Sequence, residues 1–263
     1  MSDVLTISVQ EHVAQVALNR PDKHNAVNLE LFEALGDAAG TLASNQSVRA
    51  VVLAGAGDNF CSGIDTSLFA SGEKGLDSSM FAPGKGSKAN LFQRAAYAWR
   101  ELRVPVICAI HGVCYGAGLE IALGADMRFA AKDARLSIME VKWGLIPDMA
   151  VSVHLRDIMP ADKAKELAMT GRIVEAAEAL EIGLVTALCD DPLAAALDKA
   201  AEIAGRSPQA VQSIKQLFDS AWHMGEAEAL RLEAELQMAL IGTPNQGEAV
   251  MANIQRRAAQ FED

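Results

Sequence analysis

The sequence predicts an α/β fold followed by a C-terminal α-helical region. Short apolar segments alternate with amphipathic ones through most of the chain, and one of the apolar segments is unbroken. Residues 192–261 are instead rich in Ala, Leu, Glu, Lys and Gln, which are good helix formers. We therefore divide the 263 residues into a core at 1–190 and a helical region at 191–263.

The first elements follow from the spacing of apolar residues. Leu5–Val9 and Val13–Leu18 alternate apolar and polar residues, as a pair of half-buried strands does. Asn28–Leu42 has helical spacing with Asn28 as a suitable N-cap, and Ala50–Ala54 is a short β-branched strand.

The next segment is less regular. Asp65 is expected to cap a short helix, and Ser71–Lys88 contains much Gly, Ser and Lys and little that could form a core, so we expect it to be mobile. Asn90–Leu102 returns to a helical pattern and leads into an apolar strand at Pro105–Ile110. Parallel strands covered on both faces are continuously apolar in this way.

The apolar stretch from Val104 to Ala131 is long enough to imitate a membrane span. It contains His111, Glu120, Asp126, Arg128 and four glycines, however, so a strand, a turn and a short helix fit it better.

The C-terminal region has three breaks, at Ser207-Pro208, Gly225 and Thr243-Pro244, which predict three or four helices. Their faces carry more apolar residues than a short isolated bundle could bury. We expect these helices to pack on the core or on another subunit.

Composition and charge exclude several functions. A net charge of -11 and a pI near 4.9 oppose binding to nucleic acid or to anionic membranes. Four cysteines, Cys61, Cys108, Cys114 and Cys189, form no CxxC pair and have no histidine at zinc-finger spacing. Neither disulfides nor a metal site is indicated, and a reducing cytoplasm fits best.

A glycine-rich turn lies between the Pro105 strand and the helix that follows. Gly112, Gly116 and Gly118 do not form a dinucleotide fingerprint, because Ile121 stands where that pattern needs a small residue. Two interpretations remain open. The glycines allow close packing of strand and helix, or they leave free backbone N–H groups at a helix N-terminus, where these stabilise a developing negative charge.

Three carboxylates, Glu120, Glu140 and Asp148, lie in or just after this apolar region. Buried carboxylates are costly unless they are paired or used, so they indicate chemistry. Each also has a purely structural explanation. Glu120 could form an ion pair with Arg128. Glu140 could end a strand at Leu136–Met139 and pair with Lys142. Asp148 could cap a helix at Met149–Met159.

Several short motifs together resemble the crotonase (enoyl-CoA hydratase/isomerase) superfamily between about residues 5 and 186. They are Asn19-Arg20-Pro21 with Asn25-Ala26, Phe60-Cys61-Ser62-Gly63-Ile64-Asp65, His111-Gly112, Gly116-Ala117-Gly118-Leu119-Glu120, and Glu140 with Gly144 and Pro147. The resemblance implies a crotonase-like spiral of ββα units with a C-terminal helical region that builds trimers, often paired into hexamers.

The same resemblance implies how substrate binds. The thioester carbonyl of an acyl-CoA would accept hydrogen bonds from the backbone N–H groups of Ile64 and Ala117, an oxyanion hole. The family usually has Ala and Gly at these two positions, so both residues here add bulk. The remaining expected contacts to CoA are Lys23, His24, Ala26, Ser62, Gly63, Ile64, Asp65 and Gly116. Lys23 and His24 could equally form a solvated turn.

The resemblance places Glu120 and Glu140 at the acid/base positions of hydratases, where syn addition of water to a 2-enoyl thioester needs two such groups. Hydration of a trans-2-enoyl-CoA is therefore our first expectation. The alternative is a dienoyl-CoA or enoyl-CoA double-bond isomerase using Glu140 and Asp148. Coenzyme A is part of the substrate, and no metal or redox cofactor is implied.

The alternative from another functional class is a noncatalytic protein that binds CoA or RNA, since both roles are known among crotonase relatives. The negative charge of the chain opposes RNA binding.

Overall fold

The computed structural model describes residues 3–70, 77–84 and 87–263, in which nine strands form two sheets. The strands are β1 Leu5–Gln10, β2 Val13–Leu18, β3 Ala50–Gly55, β4 Val106–Ile110, β5 Val113–Tyr115, β6 Met127–Ala131, β7 Arg135–Ser137, β8 Val174–Glu175 and β9 Ala187–Cys189. The α-helices are α1 Leu29–Ala43, α2 Ser67–Ala70, α3 Leu91–Glu101, α4 Ala117–Leu123, α5 Val151–Leu155, α6 Ala161–Thr170, α7 Ala176–Glu181, α8 Pro192–Ala204, α9 Pro208–Ala221, α10 Glu226–Leu240 and α11 Pro244–Gln255.

The larger sheet has the order β1-β2-β3-β4-β6-β9. The first two strands, which the alternating pattern predicts, pair antiparallel, and every other pair in this sheet is parallel. Both faces are covered. Val51 and Leu53 of β3 belong to the main core cluster, whereas Ala50 and Val52 belong to a second cluster on the opposite face with Ala200 of α8. Burial on both faces explains why the central strands are continuously apolar.

The smaller sheet has the order β5-β7-β8, and the chain enters it through Gly112. This glycine has φ +57°, and a Cβ there would lie 2.2 Å from the Asp58 carbonyl oxygen. Only glycine fits so tight a turn between β4 and β5.

Two helices of the core begin at the asparagines that the sequence indicates. The Asn28 side chain accepts from the Leu31 N–H at the start of α1, and Asn90 forms a reciprocal capping box with Gln93 at the start of α3. The two helices pack against each other, with the rings of Phe32 and Phe92 edge to face at 5.1 Å between centroids.

The C-terminal region forms four helices, α8 to α11, and the last three begin directly after Ser207, Gly225 and Thr243, as the sequence predicts. α8 lies on the larger sheet, and α9 packs against α10. The division of the chain at residue 190 stays a proposal, since α8 shares the core of the preceding residues.

Two further predictions concern the middle of the chain. Of the Ser71–Lys88 segment, residues 71–76 and 85–86 lie outside the described residues, and a 3-10 turn, Ser78–Phe81, occupies part of the remainder. Within the described residues, no helix has the length and apolar character needed to cross a membrane.

Candidate active site

Residues 61–64 lie between β5 and Val27, with one isolated parallel bridge to each. Cys61 pairs with Cys114: its N–H donates to the Val113 carbonyl at 3.1 Å, and its own carbonyl accepts from the Tyr115 N–H at 3.0 Å. The loop that follows β3 is thereby fixed next to the residues that lead into α4.

The first turn of α4 presents backbone N–H groups to this loop. Gly116 has φ +50°, and its N–H donates to the Ser137 carbonyl of β7 at 2.8 Å. The N–H groups in the first turn of an α-helix have no carbonyl partner within the helix. In α4 the first residue whose N–H bonds back along the helix is Glu120, which donates to the Gly116 carbonyl. The N–H of Ala117 has no partner among the described residues, and the dipole of the helix adds partial positive charge there.

The N–H of Ile64 is free for a different reason. Ile64 forms a parallel bridge with Val27, in which Val27 donates to the Gly63 carbonyl and accepts from the Asp65 N–H. In such a bridge Val27 bonds to the residues before and after Ile64, not to Ile64 itself. The N–H of Ile64 therefore points away from Val27. It too has no partner in the described part of the chain.

Close packing holds the two segments together. A Cβ at Gly63 would lie 3.2 Å from the Tyr115 carbonyl oxygen, and a Cβ at Gly118 would lie 2.6 Å from the Cys61 Cβ. Gly118 therefore allows close approach, and the turn also leaves a free N–H at the start of α4. That this N–H stabilises a developing negative charge stays a prediction.

Both free N–H groups belong to residues on the wall of one cleft, with a cavity of about 350 Å³. Its wall is mainly apolar and includes the three carboxylates that the sequence analysis selects. The lining residues are Phe32, Ser62, Gly63, Ile64, Thr66, Phe69, Phe81, Phe92, Gly116, Ala117, Glu120, Met139, Glu140, Trp143, Leu145, Ile146, Asp148 and Met149.

Glu120 lies in the first turn of α4 and is only 1% exposed. The predicted alternative, an ion pair with Arg128, is wrong. The guanidinium of Arg128 donates instead to the carbonyls of Leu184 and Ala125. The Glu120 Oε1 atom is buried and has no hydrogen-bond partner within the described residues.

Glu140 begins a 3-10 turn, Glu140–Trp143, rather than ending a strand. The strand before it, β7, stops at Ser137, so the predicted strand at Leu136–Met139 is shifted by one to two residues. The ion pair with Lys142 is absent from the described residues, and Glu140 Oε2 is buried without a partner. A Cβ at Gly116 would lie 2.7 Å from Glu140 Oε1, so the glycine leaves room for this carboxylate beside α4.

Asp148 does not cap a helix, and that structural explanation is also wrong. The helix after it, α5, begins at Val151, and its N-cap is Ala150, which has φ +64° and forms no side-chain cap. The predicted helix at Met149–Met159 is thus much shorter. Asp148 lies at the rim of the cleft, where it keeps contact with solvent.

All three carboxyl groups have raised pKa values, chiefly because the cleft removes water from them. The charges of Glu140 and Asp148 raise the pKa of Glu120 further, and the charge of Asp148 raises that of Glu140. Their own backbone N–H groups partly offset this for Glu140 and Asp148. Such a cluster holds protons more readily near neutral pH than separate surface carboxylates do.

Of the expected CoA contacts, four line the cleft, and Lys23, His24, Ala26 and Asp65 are not among its lining residues; the four are Ser62, Gly63, Ile64 and Gly116. Lys23 ends a 3-10 turn, Pro21–Lys23, and both Lys23 and His24 are exposed. His24 has φ +49°, its ring Nδ1 lies 3.0 Å from the Asn59 side chain, and its carbonyl accepts from the Ser62 N–H at 2.9 Å. The turn at Lys23 and His24 is thus connected to the residue 61–64 segment.

The side chain of Arg20, a residue of the first motif, has a role that the sequence does not indicate. Its guanidinium donates to the Ala26 carbonyl and to Asp65 Oδ2, the latter at 2.9 Å, and both side chains are mostly buried. Asp65 also accepts from the Ser67 N–H and hydroxyl before α2. Arg20 therefore ties the turn at Ala26 to the residue directly after Ile64. The one signal in the sequence for this ion pair is that the first motif contains Arg20 and the second contains Asp65.

The described residues contain no group of three or more His, Cys, Asp or Glu side chains arranged to hold a metal ion. Burial raises the pKa of the Cys61 thiol to about 12, and this thiol donates to the Asn25 carbonyl at 3.0 Å. Cys61 is therefore a neutral structural residue and no nucleophile.

Comparison with known proteins agrees with this geometry. The family model described as enoyl-CoA hydratase/isomerase matches residues 8–263. The chain belongs to the enoyl-CoA hydratase/isomerase (crotonase) family. Its fold is accordingly the mixed α/β crotonase fold with C-terminal helices, as the sequence predicts.

Individual relatives include both isomerases and hydratases. The chain is 34% identical to the human mitochondrial Delta(3,5)-Delta(2,4)-dienoyl-CoA isomerase, covering 95% of this chain and 78% of that protein. It is 32% identical to the enoyl-CoA hydratase EchA19 of Mycobacterium tuberculosis, covering 96% and 94%. The crystal structure of an enoyl-CoA hydratase from Bacillus anthracis superposes with a TM-score of 0.87 at 27% identity, covering 98% of both chains. The protein is thus a crotonase-family enzyme, a hydratase or an isomerase.

Proposed function

We propose that the protein hydrates a trans-2-enoyl-CoA thioester, with Glu120 and Glu140 as acid/base groups and the N–H groups of Ile64 and Ala117 as the oxyanion hole. The observation that carries this proposal is that each glutamate has a buried carboxylate oxygen without a partner in the described residues, on the wall that also bears both free N–H groups. Buried polar atoms in folded proteins are rarely left unpaired without a functional reason.

The chemistry requires little else from the protein. The thioester carbonyl accepts from Ile64 and Ala117, which stabilise the enolate-like oxyanion; losing one such donor typically costs about 3 to 4 kcal/mol. One glutamate takes a proton from water as the C3–O bond forms, and the other donates a proton to C2. The raised pKa values of both groups suit this exchange near neutral pH.

A second candidate is isomerisation of a 3,5-dienoyl-CoA to a 2,4-dienoyl-CoA, and the position of Asp148 favours it. Because Asp148 caps no helix and lines the cleft, its carboxyl is available to the substrate. In that reaction one carboxylate removes a proton from C2 and a second group donates a proton to C6, with the same oxyanion hole stabilising the dienolate. The dienoyl-CoA isomerases among the relatives add to its support.

The other site assignments remain parts of the same proposal. Backbone groups of Ala26, Ser62, Gly63, Asp65 and Gly116 are proposed to contact CoA together with Lys23 and His24. We also propose that subunits associate as trimers or dimers of trimers, and that the protein acts in the cytoplasm.

Purified protein should be offered crotonyl-CoA and, in a separate assay, a 3,5-dienoyl-CoA. Hydration predicts loss of the conjugated enoyl absorbance with the first thioester and a 3-hydroxyacyl product. A new 2,4-dienoyl absorbance with the second, without turnover of the first, would replace hydration by isomerisation.

A further inference from the structure

The wall of the cleft is unusually rich in aromatic side chains. The whole sequence contains eight Phe, three Trp and two Tyr, and five of these line this one cavity: Phe32, Phe69, Phe81, Phe92 and Trp143. They come from five separate segments of the chain, so folding rather than local composition brings them together.

The aromatic residues form two groups. In the first, the ring of Phe92 contacts Phe32 edge to face at 5.1 Å and Phe81 at 4.9 Å with an interplanar angle of 46°. In the second, the rings of Phe69 and Trp143 lie 5.7 Å apart and tilted by 32°.

The first group is buried at one end and open at Phe81, and both rings of the second group are exposed. Phe32 and Phe92 are 2% and 5% exposed, whereas Phe81 retains 49% of its exposure, Phe69 37% and Trp143 54%. Large apolar surfaces that stay open beside a cavity are typical of binding sites rather than of the core. Rings also prefer further rings at 4.5–7 Å in offset or edge-to-face geometry, a preference that alkyl chains cannot satisfy.

We propose that the acyl group this enzyme accepts ends in an aromatic ring, which packs against the exposed rings of Phe81 and Trp143 on the cleft wall. This inference rests on the proposed acyl-CoA function and adds the substrate class. The polar groups of the cleft act at the thioester end, and the aromatic residues contact the far end of the acyl chain.

Binding of two unreactive thioesters tests the proposal without depending on turnover. 3-Phenylpropanoyl-CoA and nonanoyl-CoA each have nine acyl carbons, and neither has the double bond needed for hydration or isomerisation. Burial of apolar area alone favours the more hydrophobic linear chain. The aromatic wall predicts the reverse, with the phenyl ester bound about threefold tighter or more in calorimetric titrations.

Three variants locate the effect. Phe81→Leu and Trp143→Leu keep an apolar side chain, so each should remove most of the preference for the phenyl ester while nonanoyl-CoA binds as before. Phe218→Leu is the matched control, because Phe218 is 51% exposed on α9 and lies outside this cavity, and it should change neither affinity.

The outcomes separate this inference from the function. Equal or tighter binding of nonanoyl-CoA by the wild type, or an unchanged preference in both cleft variants, would overturn the aromatic substrate class while leaving hydration intact. Failure of both thioesters to bind would count against the acyl-CoA function itself.

Discussion

Among single residues, the three carboxylates of the cleft differ in depth and in the groups that control their protonation. Glu120 is almost fully buried, Glu140 is partly buried, and Asp148 lies at the rim. Asp148 raises the pKa of Glu140 through its negative charge. A rim residue therefore adjusts the protonation of a group deeper in the site.

The pH profile of hydration should reveal this coupling. The glutamate that takes a proton from water must be ionised, so kcat/KM falls as the pH falls through its pKa. Burial raises the pKa values of both Glu120 and Glu140, which places this acid limb above that of an ordinary glutamate. Asp148→Asn removes a negative charge that raises both pKa values, so the acid limb should move to lower pH. Asp133→Asn, at an exposed position outside the cleft, should leave it in place. An acid limb that does not move in the Asp148 variant would contradict the coupling.

The Arg20–Asp65 ion pair is expected to position the oxyanion hole without contacting the reacting atoms. Asp65→Asn removes the charge that holds Arg20 beside Ile64, and small displacements of catalytic groups cost up to about 100-fold in rate. We expect kcat for crotonyl-CoA to fall about 10-fold or more while KM changes little. Asp37→Asn breaks the Arg94 ion pair, in which Asp37 is 74% exposed, and should alter neither parameter. A rise in KM with kcat unchanged would assign Asp65 to CoA binding instead.

At the scale of elements, the contact between α4 and the residue 61–64 segment sets the spacing of the two segments that bear the free N–H groups. Gly118 makes that contact, and any side chain there would overlap Cys61 Cβ, its carbonyl oxygen and Sγ, all within 3 Å. The packing of one glycine thus controls the spacing of two elements.

Gly118→Ala should lower the free energy of unfolding by about 1 to 3 kcal/mol, the usual cost of overpacking. Chemical denaturation monitored by circular dichroism measures this. Gly247→Ala is the control, because Gly247 lies in α11 with no atom near the added Cβ, and an Ala in a helix should be neutral or slightly stabilising. Equal stability of the Gly118 variant and the wild type would mean that α4 and the loop are not tightly joined.

The elements also show what the sequence can and cannot predict. The strands β1 to β4, the capped helices α1 and α3 and the C-terminal breaks were predictable because caps, prolines and apolar periods act locally, whereas the pairing of distant strands has no local signal. The short α5 and the 3-10 turn at Glu140 were not, because Asp148 and Glu140 resemble ordinary cap and strand-end residues until the cleft around them is known. The aromatic wall has no local signal, since its five residues come from distant segments.

For the whole molecule, the C-terminal helices expose apolar surface that one chain does not cover. Leu230 and Met238 are 64% and 70% exposed, and their eight-residue spacing places them on one face of α10 with Ala234. Exposed stripes of this kind typically bind another subunit.

We expect the wild-type protein to sediment as a trimer or hexamer and Leu230→Glu to lower that mass at equal concentration, because it buries a charge in the interface. Glu233→Gln changes a nearby exposed residue of the same helix and should keep the wild-type mass. A monomeric wild type at micromolar concentration would refute the proposed assembly.

We propose that Glu140, which lines the same cleft as the two free N–H groups, moves a proton during hydration. The most direct test compares the wild type and Glu140→Gln for hydration of crotonyl-CoA, with binding of nonanoyl-CoA measured in parallel. We expect kcat to fall about 100-fold to 10,000-fold, the usual range for a lost acid/base group, while the thioester still binds. A variant that hydrates at the wild-type rate, or a wild type that turns over neither crotonyl-CoA nor a 3,5-dienoyl-CoA, would contradict it.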